Sequence, residues 1–144
     1  MEDQHVLRSV FIGGCSRSGT TLLGAVLASH SACVAVPESH FKTEVFRELQ
    51  DDPRGPVATA EALGRIQRHR RFKQWGLSMD DVTRMHGKIQ RSYADLVRSL
   101  VKEYGKKNAP GKRPGVWVDH TPSNLKYAGL LSSLFPEARF IHII

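Results

Sequence analysis

The segment that most constrains the fold is the glycine-bounded turn Gly14–Thr21, which lies between two apolar stretches. Before it, residues 6–12 are mostly apolar, as is typical of a short buried strand. After it, residues 20–29 carry leucine and valine at helical spacing, and Cys33–Val36 is a second short apolar run. Strand, turn, helix and strand in this order predict the βαβ unit of a parallel sheet.

The turn itself has the features of a phosphate-binding loop. Gly14 and Gly19 allow the backbone to turn tightly and to approach a ligand closely. The free N–H groups and the dipole of the following helix both attract an anion. The spacing almost matches Gly-x4-Gly-Lys-Ser/Thr, with Thr21 at the last position. Thr20, however, replaces the lysine that reaches the β- and γ-phosphates of a nucleoside triphosphate. We therefore predict phosphate binding by residues 14–21 without ordinary ATP hydrolysis.

A helical segment of about residues 41–105 separates the second strand from the third. Its apolar residues follow helical patterns, and no strand pattern is found there. Within it, Ser78 and Asp81 have the spacing of a capping box. The apolar positions after them, including Ile89, predict one helix that ends at Gly105. We interpret the segment as an insertion between two strands of the sheet.

After the insertion, the sequence predicts a strand, a helix and a final strand. Val116–Val118 is a short apolar run, and Thr121 can cap a helix whose first position is Pro122. Residues 138–144 are again typical of a buried strand. Parallel strands are usually covered by helices on both faces, and the helix expected after this strand is missing. We therefore interpret residues 1–144 as a single incomplete domain, truncated at its carboxyl end.

Together these segments predict an α/β fold, namely a three-layer, P-loop-type parallel sheet with a helical insertion. The length of 144 residues fits one domain, and the net charge of +7 favours an anionic ligand. No apolar run reaches the roughly 18 residues of a transmembrane helix. The acidic start of the chain is unlike a signal peptide, and two cysteines make no disulfide framework and no zinc cluster. We expect a cytoplasmic protein without a membrane span.

Three motifs in order resemble one enzyme family. Arg17–Leu22 is similar to the 5′-phosphosulfate loop of the sulfotransferases that use 3′-phosphoadenosine 5′-phosphosulfate (PAPS). The arginine variant resembles that of tyrosylprotein sulfotransferases and their bacterial relatives. Glu38 follows Arg17 by 21 residues, which resembles the spacing from loop arginine to catalytic glutamate in that branch. Val118–Pro122 and Phe140–Ile144 look like the family's next block.

The resemblance implies transfer of a sulfuryl group from PAPS to an acceptor hydroxyl or amine, with no metal. It implies that Glu38 is the general base and that Arg17 and His120 stabilise charge, although His120 stays open as the base. Both Glu38 and His120 follow predicted strands, where open α/β sheets place their ligands. The implied cofactor-binding residues are Gly14, Cys15, Ser16, Arg17, Ser18, Gly19, Thr20 and Thr21.

The resemblance also implies a segment that the sequence does not contain. In the family, the strand like Phe140–Ile144 runs into an Arg-Asp-Pro-type segment, whose arginine and a following serine hold the 3′-phosphate of PAPS. The sequence ends before that point. We therefore expect half of the PAPS site in these residues.

Two other classes of function remain open. Val116–Asp119 has the form of a Walker-B strand with Asp119 holding magnesium, which favours a P-loop kinase or nucleoside triphosphatase. The other is a non-catalytic fragment of a sulfotransferase.

The expected partner is a small-molecule, carbohydrate or peptide acceptor. Nucleic acid is not expected, because the basic cluster on one predicted helix is typical of a solvated face; its members are Arg65, Arg68, Arg70, Arg71 and Lys73.

Overall fold

The computed structural model describes residues 6–49, 52–84 and 92–144. Its sheet has four strands, all parallel, in the order β2-β3-β1-β4. The strands are β1 (Arg8–Gly14), β2 (Cys33–Val36), β3 (Val116–Asp119) and β4 (Arg139–Ile143). The predicted α/β architecture with a parallel sheet is confirmed.

Helices connect the strands in the described ranges. α1 (Thr20–Ala28) joins β1 to β2, and α6 (Ala128–Leu134) joins β3 to β4. The long connection between β2 and β3 is helical, as predicted. It contains α2 (Phe41–Leu49), α3 (Thr59–Arg68), a 3₁₀ turn (Phe72–Trp75), α4 (Met79–Thr83) and α5 (Tyr93–Asn108).

The two faces of the sheet are covered by different helices. The connections through α1 and α6 run in opposite directions along the sheet, so right-handed crossovers place these helices on opposite faces. Phe11 and Trp117 lie on the α6 face, with their ring centroids 5.4 and 5.7 Å from that of Phe135. The same face carries the main core, to which the inserted helices contribute Phe41 and Tyr93. The result is the predicted three-layer arrangement.

The prediction of one helix from Ser78 to Gly105 is wrong. The capping box at Ser78 is present, but α4 ends at Thr83. Ser92 has an extended backbone and begins a new helix, because its hydroxyl accepts a hydrogen bond from the Asp95 N–H at 3.2 Å. This second N-cap competes with continuation of the first helix. Ile89 lies outside the described residues.

The prediction that Thr121 caps a helix starting at Pro122 is also wrong. Residues Pro122–Asn124 form a 3₁₀ turn, and α6 begins only at Ala128. The Thr121 hydroxyl accepts a hydrogen bond from the backbone N–H of Ser39 at 2.9 Å, so it does not cap the turn. A contact 82 residues away in sequence therefore overrides the local signal.

Candidate active site

The three segments that carry the predicted site leave the sheet at the same edge. Asp119, the last residue of β3, pairs with Phe11 of β1 and with Val36 of β2. The loop after β1, Glu38 after β2 and His120 after β3 therefore follow the carboxyl ends of three neighbouring strands. This is the edge at which open α/β sheets bind ligands.

The loop after β1 turns sharply before α1. Arg17 and Gly19 both have left-handed backbones, with φ of 65° and 95°. The Ser18 N–H donates to the Cys15 carbonyl at 3.2 Å, which closes the turn. Among the described residues, the N–H groups of Arg17 and Gly19 have no acceptor. These free donors and the start of the nine-residue helix α1 make the loop suited to an anion.

Two further observations fit the loop to a phosphate or sulfate group. The Ser18 hydroxyl is buried and has no hydrogen-bond partner among the described residues. A Cβ at Gly14 would lie 2.8 Å from the Ile143 carbonyl oxygen and 2.9 Å from Ser18 Oγ, so only glycine fits there. A buried hydroxyl without a partner is costly unless a ligand supplies one. Cys15 and Ser16 are exposed on the outside of the loop.

His120 lies against the start of α1. Its Nδ1 is 3.5 Å from the Thr21 hydroxyl. A Cβ at Gly24, one turn further along the helix, would be 3.2 Å from the imidazole Cδ2. The contact face of α1 therefore consists of the small buried residues Thr20 and Gly24, whereas Leu22 and Val26 are exposed. The structure brings His120 and the phosphate-binding loop together.

A buried polar network holds the ends of β2 and β3 in place. Its centre is the fully buried Asp119 carboxylate. The Ser39 hydroxyl and the Lys42 ammonium donate to it, the latter at 3.4 Å. The Thr121 N–H and the Asn124 amide donate to its Oδ1 at 2.9 and 3.0 Å. Ser39 is the neighbour of Glu38 and Asp119 is the neighbour of His120. The network therefore fixes the two predicted catalytic segments to each other.

The surroundings of Asp119 favour its charged form. Burial alone would raise its pKa, but the Lys42 ammonium and the hydrogen bonds from Ser39, Thr121 and Asn124 outweigh burial and lower the pKa. Burial also lowers the pKa of Lys42, and attraction to Asp119 offsets only part of that effect. Both carboxylate oxygens are occupied by protein donors, which disfavours the magnesium-holding role considered for Asp119.

Glu38 is surrounded by residues of the helical insertion and its start. Its Oε2 lies 3.1 Å from His40 Nε2 and 3.8 Å from the Arg71 guanidinium. The indole N–H of Trp75 donates to the Glu38 carbonyl at 3.5 Å. The side chain is 24% exposed, so the carboxylate remains open to an acceptor.

Comparison with known protein families identifies the family of this domain. Residues 9–144 match the family model described as "Sulfotransferase family". The chain belongs to the sulfotransferase family. An uncharacterized protein of Aquifex aeolicus (strain VF5) is similar to this sulfotransferase domain, with 29% identity over 140 residues. The match covers 94% of the chain and 15% of that protein, so the chain spans under a sixth of the relative's length.

The family match bears on some predictions from the sequence and not on others. Membership in the sulfotransferase family is confirmed, while the resemblance to the tyrosylprotein branch stays a prediction. Among the described residues, no helix is both long and apolar enough to cross a membrane. A cytoplasmic location remains an expectation.

The structure brings some of the predicted site residues into contact and leaves others apart. His120 contacts Thr21. Ser39, the neighbour of Glu38, is hydrogen-bonded to Asp119 and Thr121, the two neighbours of His120. Arg17 is exposed and makes no hydrogen bond or ion pair with the described residues. Arg71 belongs to the basic cluster predicted to be a solvated face, yet its guanidinium contacts Glu38.

The network around Asp119 was missed at the sequence level. Its members Ser39, Lys42 and Asn124 belong to no motif. One signal was available, because Lys42 precedes the apolar Val45 and Phe46 by three and four residues and so shares their inward face of α2. A lysine at such a position needs a buried acidic partner, and Asp119 is that partner.

Proposed function

We propose that this domain binds PAPS with residues 14–21 and transfers its sulfuryl group to an acceptor hydroxyl or amine. The observation that carries the proposal is the free hydrogen-bonding capacity of the loop. The Ser18 hydroxyl and two backbone N–H groups are without partners among the described residues. These donors lie at the edge where Glu38 and His120 also lie. Membership in the sulfotransferase family supports sulfuryl transfer over other anion-binding functions.

In the proposed reaction, Glu38 removes the proton from the acceptor hydroxyl or amine. The acceptor atom forms a bond to sulfur while the bond between sulfur and the bridging phosphate oxygen breaks. Arg17 and the loop N–H groups neutralise the negative charge that develops on that oxygen and on the sulfuryl oxygens. The products are the sulfated acceptor and 3′-phosphoadenosine 5′-phosphate (PAP), and no metal is proposed to take part.

His120 is proposed to stabilise charge rather than to act as base. Its Nδ1 faces the Thr21 hydroxyl at the start of α1, which places the imidazole beside the phosphate-binding loop. Glu38 lies on the side of the helical insertion, where it contacts Arg71 and Trp75. We propose a small-molecule, carbohydrate or peptide acceptor.

The test combines binding and turnover. PAP at about one hundred times its dissociation constant is expected to stabilise the protein by about 2.7 kcal/mol, measured by thermal unfolding. With PAPS and a panel of acceptors, Glu38→Gln is expected to lower kcat by about 10²- to 10⁴-fold while leaving PAP binding unchanged. His120→Ala serves as the comparison, since it retains the base. Equal rates for Glu38→Gln and the wild type would refute the base assignment.

The same unfolding assay separates the alternatives. A P-loop kinase or nucleoside triphosphatase would be stabilised by magnesium ATP and not by PAP. A non-catalytic fragment would be stabilised by neither, or by PAP without turnover. Stabilisation by magnesium ATP is the outcome that we expect least, because protein donors occupy both carboxylate oxygens of Asp119.

A further inference from the structure

His40 contacts Glu38 but has no role in the reaction proposed above. It is the residue before α2, and its carbonyl accepts the N–H groups of Thr43 and Glu44 at 3.2 and 3.0 Å. The start of a helix thus fixes its backbone. Its ring is 20% exposed, and the two ring nitrogens face two carboxylates, those of Glu38 and Glu44.

The two contacts of the ring are unequal. Nε2 is 3.1 Å from Glu38 Oε2, within hydrogen-bonding distance, whereas Nδ1 is 3.7 Å from Glu44 Oε1. A carboxylate only accepts hydrogen bonds, so His40 must carry a proton on Nε2 to make this bond. Glu44 is already bonded to His69 Nε2 at 2.8 Å. His40 is therefore directed towards Glu38.

Within the described part of the chain, the contacts of Glu38 leave one of its carboxylate oxygens without a partner. His40 and Arg71 both approach Oε2. Oε1 has no hydrogen-bond partner among the described residues. A general base must be held in one orientation to meet the proton that it removes.

We propose that His40 is a positioning residue, which holds Oε2 of Glu38 so that Oε1 is the oxygen that receives the acceptor's proton. The inference rests on the proposed role of Glu38 as base. His40 itself contacts neither donor nor acceptor. Arg71 adds charge at the same oxygen, at an ion-pair distance of 3.8 Å.

Two substitutions separate positioning from general damage. In His40→Gln, the amide nitrogen takes about the place of Nε2 and can still donate to Glu38. In His40→Asn, the shorter amide reaches only about the place of Nδ1. We expect His40→Asn to lower kcat about 10-fold or more, with an unchanged KM for PAPS, and His40→Gln to stay within about 3-fold of the wild type.

His69→Asn is the matched control. His69 also pairs with a glutamate, but with Glu44, and the asparagine oxygen can keep the hydrogen bond that His69 Nδ1 accepts from the Arg71 N–H. This variant is expected to retain the wild-type kcat. Equal losses in His69→Asn and His40→Asn, or wild-type activity in His40→Asn, would overturn the proposal.

A spectroscopic measurement tests the contact without turnover. The proton on His40 Nε2 is expected to give a resolved imidazole N–H signal that shifts or disappears in Glu38→Ala, while the His69 signal stays in place. An unchanged His40 signal would overturn the proposal. If the wild type turns over PAPS but His40→Asn is unaffected, only the positioning role fails. If the wild type turns over no sulfate donor, the proposed function fails and the positioning role with it.

Discussion

Asp119 and His120 are neighbours in the chain, yet their side chains point to opposite faces of the sheet. Asp119 points towards the inserted helices, where it receives Ser39 and Lys42. His120 points towards α1 and the phosphate-binding loop. This alternation follows from the pleat of a strand, in which successive side chains point to opposite faces. The end of one short strand therefore supplies both the buried Asp119, which holds the network together, and His120, which faces the phosphate-binding loop.

Lys42→Met tests whether the buried pair of Lys42 and Asp119 stabilises the protein. The substitution leaves the Asp119 carboxylate buried without its cationic partner, and breaking a buried pair in this way costs about 3–5 kcal/mol. We expect that loss in urea unfolding. The double variant Lys42→Met/Asp119→Asn is expected to recover most of it, because an asparagine carries no charge. A loss under about 1 kcal/mol in the single variant would contradict the role of the pair.

Arg17→Gly separates catalysis from stability. Arg17 has a left-handed backbone with φ of 65°, which costs about 1–2 kcal/mol for a residue other than glycine. Its side chain has no protein partner among the described residues. We expect kcat to fall about 10²- to 10³-fold, because a charge-stabilising group is lost. The melting temperature is expected to stay level or rise. A fall in both activity and melting temperature would indicate a structural role instead.

At the scale of elements, the close approach of β1 to the turn after β3 sets the shape of the site. A Cβ at Gly13 would be 2.7 Å from the backbone nitrogen of Leu125. The Asn124 amide also donates to the Ile12 carbonyl at 3.0 Å, so the turn is bonded to the end of β1. Glycine at position 13 allows this contact and thereby keeps the phosphate-binding loop next to His120.

Gly13→Ala is therefore expected to destabilise the protein by about 1–3 kcal/mol, the usual cost of overpacking, because the obstructing atom belongs to the backbone. Thermal unfolding measures the loss. Gly115→Ala is the control, since a Cβ there meets no atom of the described residues within 4 Å. Equal stability of the two variants would show that the turn after β3 moves aside to accommodate the added methyl group.

Local sequence patterns predicted the strands, the glycine loop and the helical connection, because each depends on residues close together in the chain. They failed where a distant contact competes. Thr121 has the right type and place for a helix cap, but it accepts the Ser39 N–H instead. The pairing of Lys42 with Asp119 joins residues 77 positions apart. The inward position of Lys42 on α2 indicates a buried acidic partner, but no local pattern identifies which carboxylate it is. The position of Glu38 beside Arg71 likewise depends on the packing of the insertion.

At the scale of the whole molecule, acid stability depends on the network that joins β2 to β3. The pKa of Asp119 is lowered from its ordinary value of 3.8 in the folded state. Its contribution to the free energy of unfolding is therefore present above about pH 4 and is lost as the pH falls through the lower, folded pKa. The unfolded state binds the proton first, so acid favours unfolding.

We expect the urea midpoint of the wild type to fall as the pH decreases from about 6 to about 3. Asp119→Asn is expected to be less stable at the upper pH and to show a smaller fall, because the titrating group is gone. Parallel curves for the two proteins would assign the acid sensitivity to other carboxylates.

The contacts from Arg71 and Trp75 to Glu38 bear on how such a domain can be redesigned. These two residues belong to the helical insertion between β2 and β3. A library that exchanges this connection to obtain new acceptors would also remove supports of the proposed base. Variation confined to α3, α4 and α5, with residues 69–75 kept constant, is expected to yield more active clones than exchange of the complete insertion.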